Sequence, residues 1–134
     1  MKTDEQILAE IGKAARGLFR MSESDYAVEP FRLGGAQDAP DPATLRRAAG
    51  APETADVQTR LAEDFFRPEA FTEESRGTFG LASAGRVLEL SRALMGNLSD
   101  VKLYRVGDVN ISVYVLGRSA GGSWLGVSTR VVET

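Results

Sequence analysis

The spacing of apolar residues changes period near residue 100, and that change sets the fold class. Before it, Leu81, Ala84, Val87, Leu88, Ser91, Leu94, Met95 and Leu98 recur three or four apart, as on one face of a helix. After it, the period is two. Val101, Leu103 and Arg105 alternate with Lys102, Tyr104 and Val106, and Val109, Ile111, Val113 and Val115 alternate with Asn110, Ser112, Tyr114 and Leu116. Leu125, Val127, Thr129 and Val131 make a third such set. Gly107-Asp108 and Ala120-Gly121-Gly122 supply the turns, so the pattern predicts a C-terminal three-stranded antiparallel meander. Tyr104, Val106, Tyr114 and Leu116 make its second face apolar too, which calls for helices on both sides. The expected fold is α/β, a three-layer α/β/α sandwich with a mixed sheet.

The first two thirds of the chain carry weaker signals. Ile7, Leu8, Ile11, Ala14, Ala15, Leu18 and Phe19 keep helical spacing, and Thr3 with Gln6 three residues on forms a capping-box pattern. Gly12 and Gly17 weaken that helix by about 1 kcal/mol each. Ser22 to Asp25 reads as a polar loop, since Ser and Asp prefer caps and turns. Val28 to Leu33 predicts a strand that Pro30 confines to an edge or a bulge. From Gly34 to Thr54 the chain reads as loop around one short helix near Leu45, started by Asp41-Pro42. Val57 to Thr59 predicts a short strand, and Leu61 to Phe66 a helical turn ended by Pro68. Glu69 to Thr78 is polar apart from Ala70 and Phe71. The 134 residues fit one domain, 1–134, without internal repeats.

Two absences bound the chemistry. The chain has no Cys and no His, which removes disulfides, thiolate zinc sites, cysteine nucleophiles and Ser-His-Asp designs. A hydrolase would have to work with carboxylates, Lys or Tyr at strongly tuned pKa values. The expected protein is therefore not an enzyme and needs no cofactor. A net charge of −3 argues against nucleic-acid binding. No apolar run reaches the roughly 20 residues of a membrane helix, and the acidic start Thr3-Asp4-Glu5 is unlike a secretory signal. A cytoplasmic monomer is the expectation.

The candidate site residues are few. Glu23 and Asp25, flanked by Ser22, Ser24 and Tyr26, read either as a carboxylate loop aimed at a cation or basic cleft, or as a solvated turn. Phe71 is either a core plug or an exposed anchor. Trp124, just after the Gly-Gly turn, reads either as an interface anchor or, the favoured reading, as a residue that closes one end of the core. The run Arg130 to Thr134 follows a predicted strand directly, which would hold a terminal carboxylate as a pre-positioned anion.

Two segments carry a family resemblance. Met21-Ser22-Glu23-Ser24-Asp25-Tyr26 resembles the loop signature of the nuclease A inhibitor family. Tyr104 to Gly107, Val113 to Gly117 and Gly126 to Thr134 are similar to the end of the same family. The resemblance implies an α/β/α sandwich of the pathogenesis-related-protein type and an inhibitor of a sugar-non-specific, magnesium-dependent endonuclease. It further implies that Glu23 reaches the nuclease's magnesium ion and that Thr134, beside Glu133, assists. Phe71 is the nearest counterpart, by context, of the family's interface Trp, and Ala27 stands where the family commonly has Pro. The other reading is an interaction module of the same fold whose partner is not a nuclease.

Overall fold

The computed structural model describes residues 2–34 and 39–134; the part of the expected loop at 35–38 lies outside them. The first helix, α1, runs Asp4–Ala15. Thr3 and Gln6 form the full reciprocal capping box at its start, with the Gln6 amide N–H 3.2 Å from Thr3 Oγ1 and the Thr3 amide N–H 2.8 Å from Gln6 Oε1. Three short strands follow: β1 Leu18–Arg20, β2 Tyr26–Ala27 and β3 Glu29–Arg32. Helix α2, Pro42–Ala49, begins where Asp41 caps it, accepting from the Thr44 amide at 2.8 Å. Strand β4, Val57–Leu61, leads into two 3-10 turns at Ala62–Asp64 and Pro68–Ala70. A hairpin of β5 Phe71–Ser75 and β6 Thr78–Leu81 precedes helix α3, Ala84–Met95. The chain finishes in β7 Ser99–Val106, β8 Asn110–Arg118 and β9 Trp124–Val132, the expected meander.

The strands form two sheets, ordered β3-β9-β8-β7-β4 and β2-β1-β5-β6. Alternation along the meander divides the core in two. Leu103, Ile111, Val113, Val115, Leu125, Val127 and Val131 pack with Ile7 and Ile11 of α1 and Val87, Leu90 and Leu94 of α3. Tyr104, Val106, Tyr114, Leu116 and Trp124 form the second cluster, with Leu33 and with Leu45 of α2. Trp124 thus closes the core as its position suggested. β9 lies close against β8: a Cβ added to Gly126 would fall 1.7 Å from the Val115 carbonyl oxygen. No residue but glycine fits there.

The mixed sheet expected from the sequence is instead antiparallel at every described pairing. Strand direction alternates at each step across the sheet. β3 and β4 point the same way, but they occupy opposite edges with the meander between them. The segment containing α2 therefore joins two strands that never pair.

The four-stranded sheet was not anticipated. Leu18 and Phe19, which continue the helical spacing, belong to β1, because the chain turns at Arg16 and Gly17 with Gly17 at φ +73°. β1 pairs with β5 through Leu18↔Glu73, Phe19↔Thr72 and Arg20↔Phe71. The polar stretch after Glu69 is thus a hairpin, turned by Arg76 (φ 53°) and Gly77 (φ 79°). Phe71, nominated as a partner contact, is 0% exposed and sits edge-on to Phe65 at 5.3 Å. Of the two readings of Phe71, the core plug is the one the fold adopts.

Candidate functional site

The loop between β1 and β2 carries Ser22 to Asp25, and the end of β9 lies beside it. Ser22 is the joint. Its Oγ accepts from the Val132 amide at 3.0 Å and donates to the Ser24 carbonyl at 2.6 Å. The Glu23 amide donates to the Val132 carbonyl at 3.3 Å. These bonds dock the loop on the last residues of β9 and leave the Glu23 side chain on the surface.

Thr134 then holds that side chain. Its amide donates to Glu23 Oε2 at 2.7 Å and its Oγ1 donates to Oε1 at 2.7 Å. Both carboxylate oxygens therefore have a donor, from a residue 111 positions away in sequence. Each oxygen keeps a second lone pair. The result is an exposed carboxylate of fixed aim, with ligating capacity left over.

A partly buried charge cluster lies beside it, with Glu133 exposed and the Arg20 and Arg105 side chains more enclosed. Glu133 donates its amide to the Val109 carbonyl at 2.9 Å, and its Oε1 meets Arg105 Nη2 at 2.7 Å. The Arg105 side chain is only 15% exposed. Arg20, at the base of the loop, donates from Nη1 to the Phe65 carbonyl at 2.6 Å and lies over the Phe65 and Phe71 rings at 4.9 and 5.2 Å. Burial pushes its guanidinium below the ordinary value, and Arg67 and Arg105 add to the effect while Glu133 and Glu69 oppose it. Met21 ties the loop to the second 3-10 turn through the Ala70 carbonyl at 2.8 Å. Phe71 thus serves the site indirectly, as the floor under Arg20.

The other candidate residues lie outside the Glu23–Thr134 clasp. Ser24 and Asp25 are exposed on the loop. Tyr26 lies in β2, its carbonyl accepting from Thr129 Oγ1 at 3.3 Å and its ring 6.0 Å from the Arg130 guanidinium. Arg20 and Arg105 escaped the sequence reading. A cation on a strand gives no signal of its own, and only the fold brings them under Glu133.

The site is convex. A hollow of about 450 Å³ beside Tyr26 and Arg130, and one of about 640 Å³ under the loop after α2, both exclude Glu23 and Thr134. Among the described residues no group of three or more Asp or Glu side chains is placed to hold a metal ion. A single projecting carboxylate can complete another protein's metal shell, but it cannot enclose a substrate.

A family model described as nuclease A inhibitor-like protein matches residues 5–134, a span that takes in all but the first residue of α1, the Glu23 loop and the end of β9. The chain belongs to the nuclease A inhibitor-like family. No curated protein matches it. No helix among the described residues is long and apolar enough to cross a membrane.

Proposed function

We propose that this chain is a cytoplasmic protein inhibitor, a single domain over residues 1–134, that plugs the active site of a non-specific, magnesium-dependent endonuclease. Glu23 is the plug, directed at the nuclease's magnesium ion, and Thr134 with Glu133 forms the second half of the contact. The observation that carries the reading is the exposed Glu23 carboxylate, held at both oxygens by Thr134. Its orientation is established before binding, so less freedom is lost on association. Carboxylate oxygen is a hard donor that suits magnesium, which takes one or two carboxylates and keeps several waters. In that position it occupies the place of a nucleic-acid phosphate oxygen. The fold that belongs with this reading is the three-layer sandwich of the pathogenesis-related-protein type. Helices against both faces of the five-stranded sheet support it.

The test is a titration into such an endonuclease with plasmid cleavage as the readout. Stoichiometric loss of cleavage is expected, weakened about 100-fold by Glu23→Ala, which corresponds to about 2.7 kcal/mol. Inhibition by Glu23→Ala equal to that of the wild type sinks the mechanism. A second reading is favoured by one observation: Phe71 lies in the core, so the floor of the loop presents no aromatic anchor to a partner. On that reading the same surface serves a non-nuclease protein. Affinity capture from the native cell separates the two, by recovering a basic endonuclease or something else.

A further inference from the structure

The two sheets have four edge strands among the described residues, and three of them are protected against pairing. β2 is two residues long, β3 carries Pro30 between Glu29 and Phe31, and β4 carries Gln58, Thr59 and Arg60. Charge, proline and shortness are the usual devices that keep a sheet edge from recruiting another strand. β6 has neither charge nor proline, and at four residues it is twice the length of β2. It reads Thr78-Phe79-Gly80-Leu81, every residue is exposed, and Phe79 and Leu81 keep 59% and 72% of their surface.

The ladder fixes which groups of β6 face outward. The Ala82 amide donates to the Phe71 carbonyl at 3.0 Å, so residues 78, 80 and 82 turn their N–H and C=O toward β5. Phe79 and Leu81 therefore turn theirs to the open edge. Their side chains share the outer face of the sheet with Phe19, whose ring meets Phe79 edge-on at 5.4 Å.

We infer that the β6 edge pairs with β6 of a second copy of this chain, across a two-fold axis at Gly80. Opposed residues of an antiparallel pair share a face, so an axis through the strand centre must fall on a residue. On Gly80 it sets Phe79 against Leu81 of the second copy, twice. Each such pair exchanges both N–H···O bonds, giving four across the junction, and all four exposed apolar side chains meet on the outer face beside Phe19. An axis on Phe79 would instead oppose Leu81 to Gly77 and leave Leu81 bare. The contact is isologous and uses the edge on both copies, so growth stops at two. Four residues a side fall well short of the roughly 800 Å² per partner of a standard interface, so the dimer forms at high concentration and dissociates on dilution. β5 separates β6 from the strand leading into the Glu23 loop, and the inference stands independently of the nuclease reading.

The register makes a covalent test available. Gly80 meets itself in a pair without hydrogen bonds, where Cα atoms approach to about 4.5 Å, within the span of a disulfide. A Cβ added at Gly80 meets nothing within 4 Å, and the chain has no Cys to interfere. Oxidised Gly80→Cys should run as a cross-linked dimer, while Thr78→Cys, whose opposite number is residue 82, should stay monomeric. In sedimentation velocity over a concentration series, the wild-type mass should rise toward twofold. Phe79→Lys with Leu81→Lys should hold it at one chain, with unchanged circular dichroism. A wild type monomeric at every concentration together with no Gly80→Cys cross-link overturns the proposal, and so does cross-linking through Thr78→Cys instead. Lost nuclease inhibition in the double lysine variant, with an unchanged mass series, also overturns it by assigning the edge to the nuclease.

Discussion

The two sheets solve the same problem by different means. The strands of the meander run eight or nine residues, and their side chains are buried on both faces, against α1 and α3 on one side and α2 on the other. The strands of the small sheet run two to five residues, and only one face is covered, with Leu18 and Phe71 inward and Phe79 and Leu81 outward. A long strand between two apolar layers specifies its register by pattern alone. A short one with a bare face is placed by what lies around it: here Gly17, whose carbonyl accepts from the Glu74 amide at 2.8 Å, and Arg20 with its bond to Phe65. The candidate site sits where these two kinds of order meet, its loop on the small sheet and its clasp on β9. Rigidity comes from one and exposure from the other.

That division can be tested by breaking each part in turn. The largest effect should come from Gly126→Ala, which drives a methyl group into the β8 backbone at the centre of the large sheet. A loss of about 4 kcal/mol or more is expected, read as a collapse of the urea transition. A stability near wild type would mean that β9 can shift away from β8. Phe71→Ala, the matching lesion in the small sheet, should cost about 3 kcal/mol through the cavity it leaves. It should also loosen Arg20 and weaken partner binding, while an equal substitution in the meander would lower stability without that selective effect. Unchanged binding by a folded Phe71→Ala protein would separate the core of the small sheet from the site.

Smaller changes sharpen the picture. Ser22→Ala removes the hydroxyl that joins loop to β9, with an expected cost of about 1 kcal/mol and faster hydrogen exchange at the Val132 amide. Protection of that amide at the wild-type level would show that the Glu23 amide alone suffices. The least effect is acid sensitivity at the far end of α1. Hydroxyls of Ser119 and Ser123 hold the Asp4 carboxyl below its ordinary 3.8, with Arg32 adding to them. A depressed folded-state pKa contributes stability above the unfolded value and loses it as pH falls through the folded one. Acidification below 3.8 should therefore destabilise the wild type more than Asp4→Asn, and equal acid midpoints would remove Asp4 from the account.

Legibility in the sequence followed the same line. The meander, the Thr3 and Asp41 caps and the edge position of Pro30 could be read because periodicity or local chemistry specifies them. The β5-β6 hairpin could not. Its inward positions are Phe71 and Glu73, the latter paired with Arg86 at 3.0 Å, so no apolar alternation marks the strand. Its turn places Arg76 at positive φ where Asn or Gly would have announced it. Leu18 and Phe19 misled for the opposite reason, since helical spacing runs on past the point where Gly17 ends the helix. At the site, resemblance singled out Glu23 and Thr134. Their direct contact, and the Arg20 and Arg105 groups beneath, arise only from strand order.

The second core cluster has a practical consequence. Trp124 is the chain's one indole, and it is buried on the α2 side of the sheet, among Leu33, Leu45 and Tyr114. Its emission is therefore a gauge of that side alone. A red shift before the helical signal changes would report α2 lifting away while the opposite side stays closed. Quenching by a soluble agent would time the same event without any label, and partner binding at Glu23 should leave the colour of the fluorescence untouched.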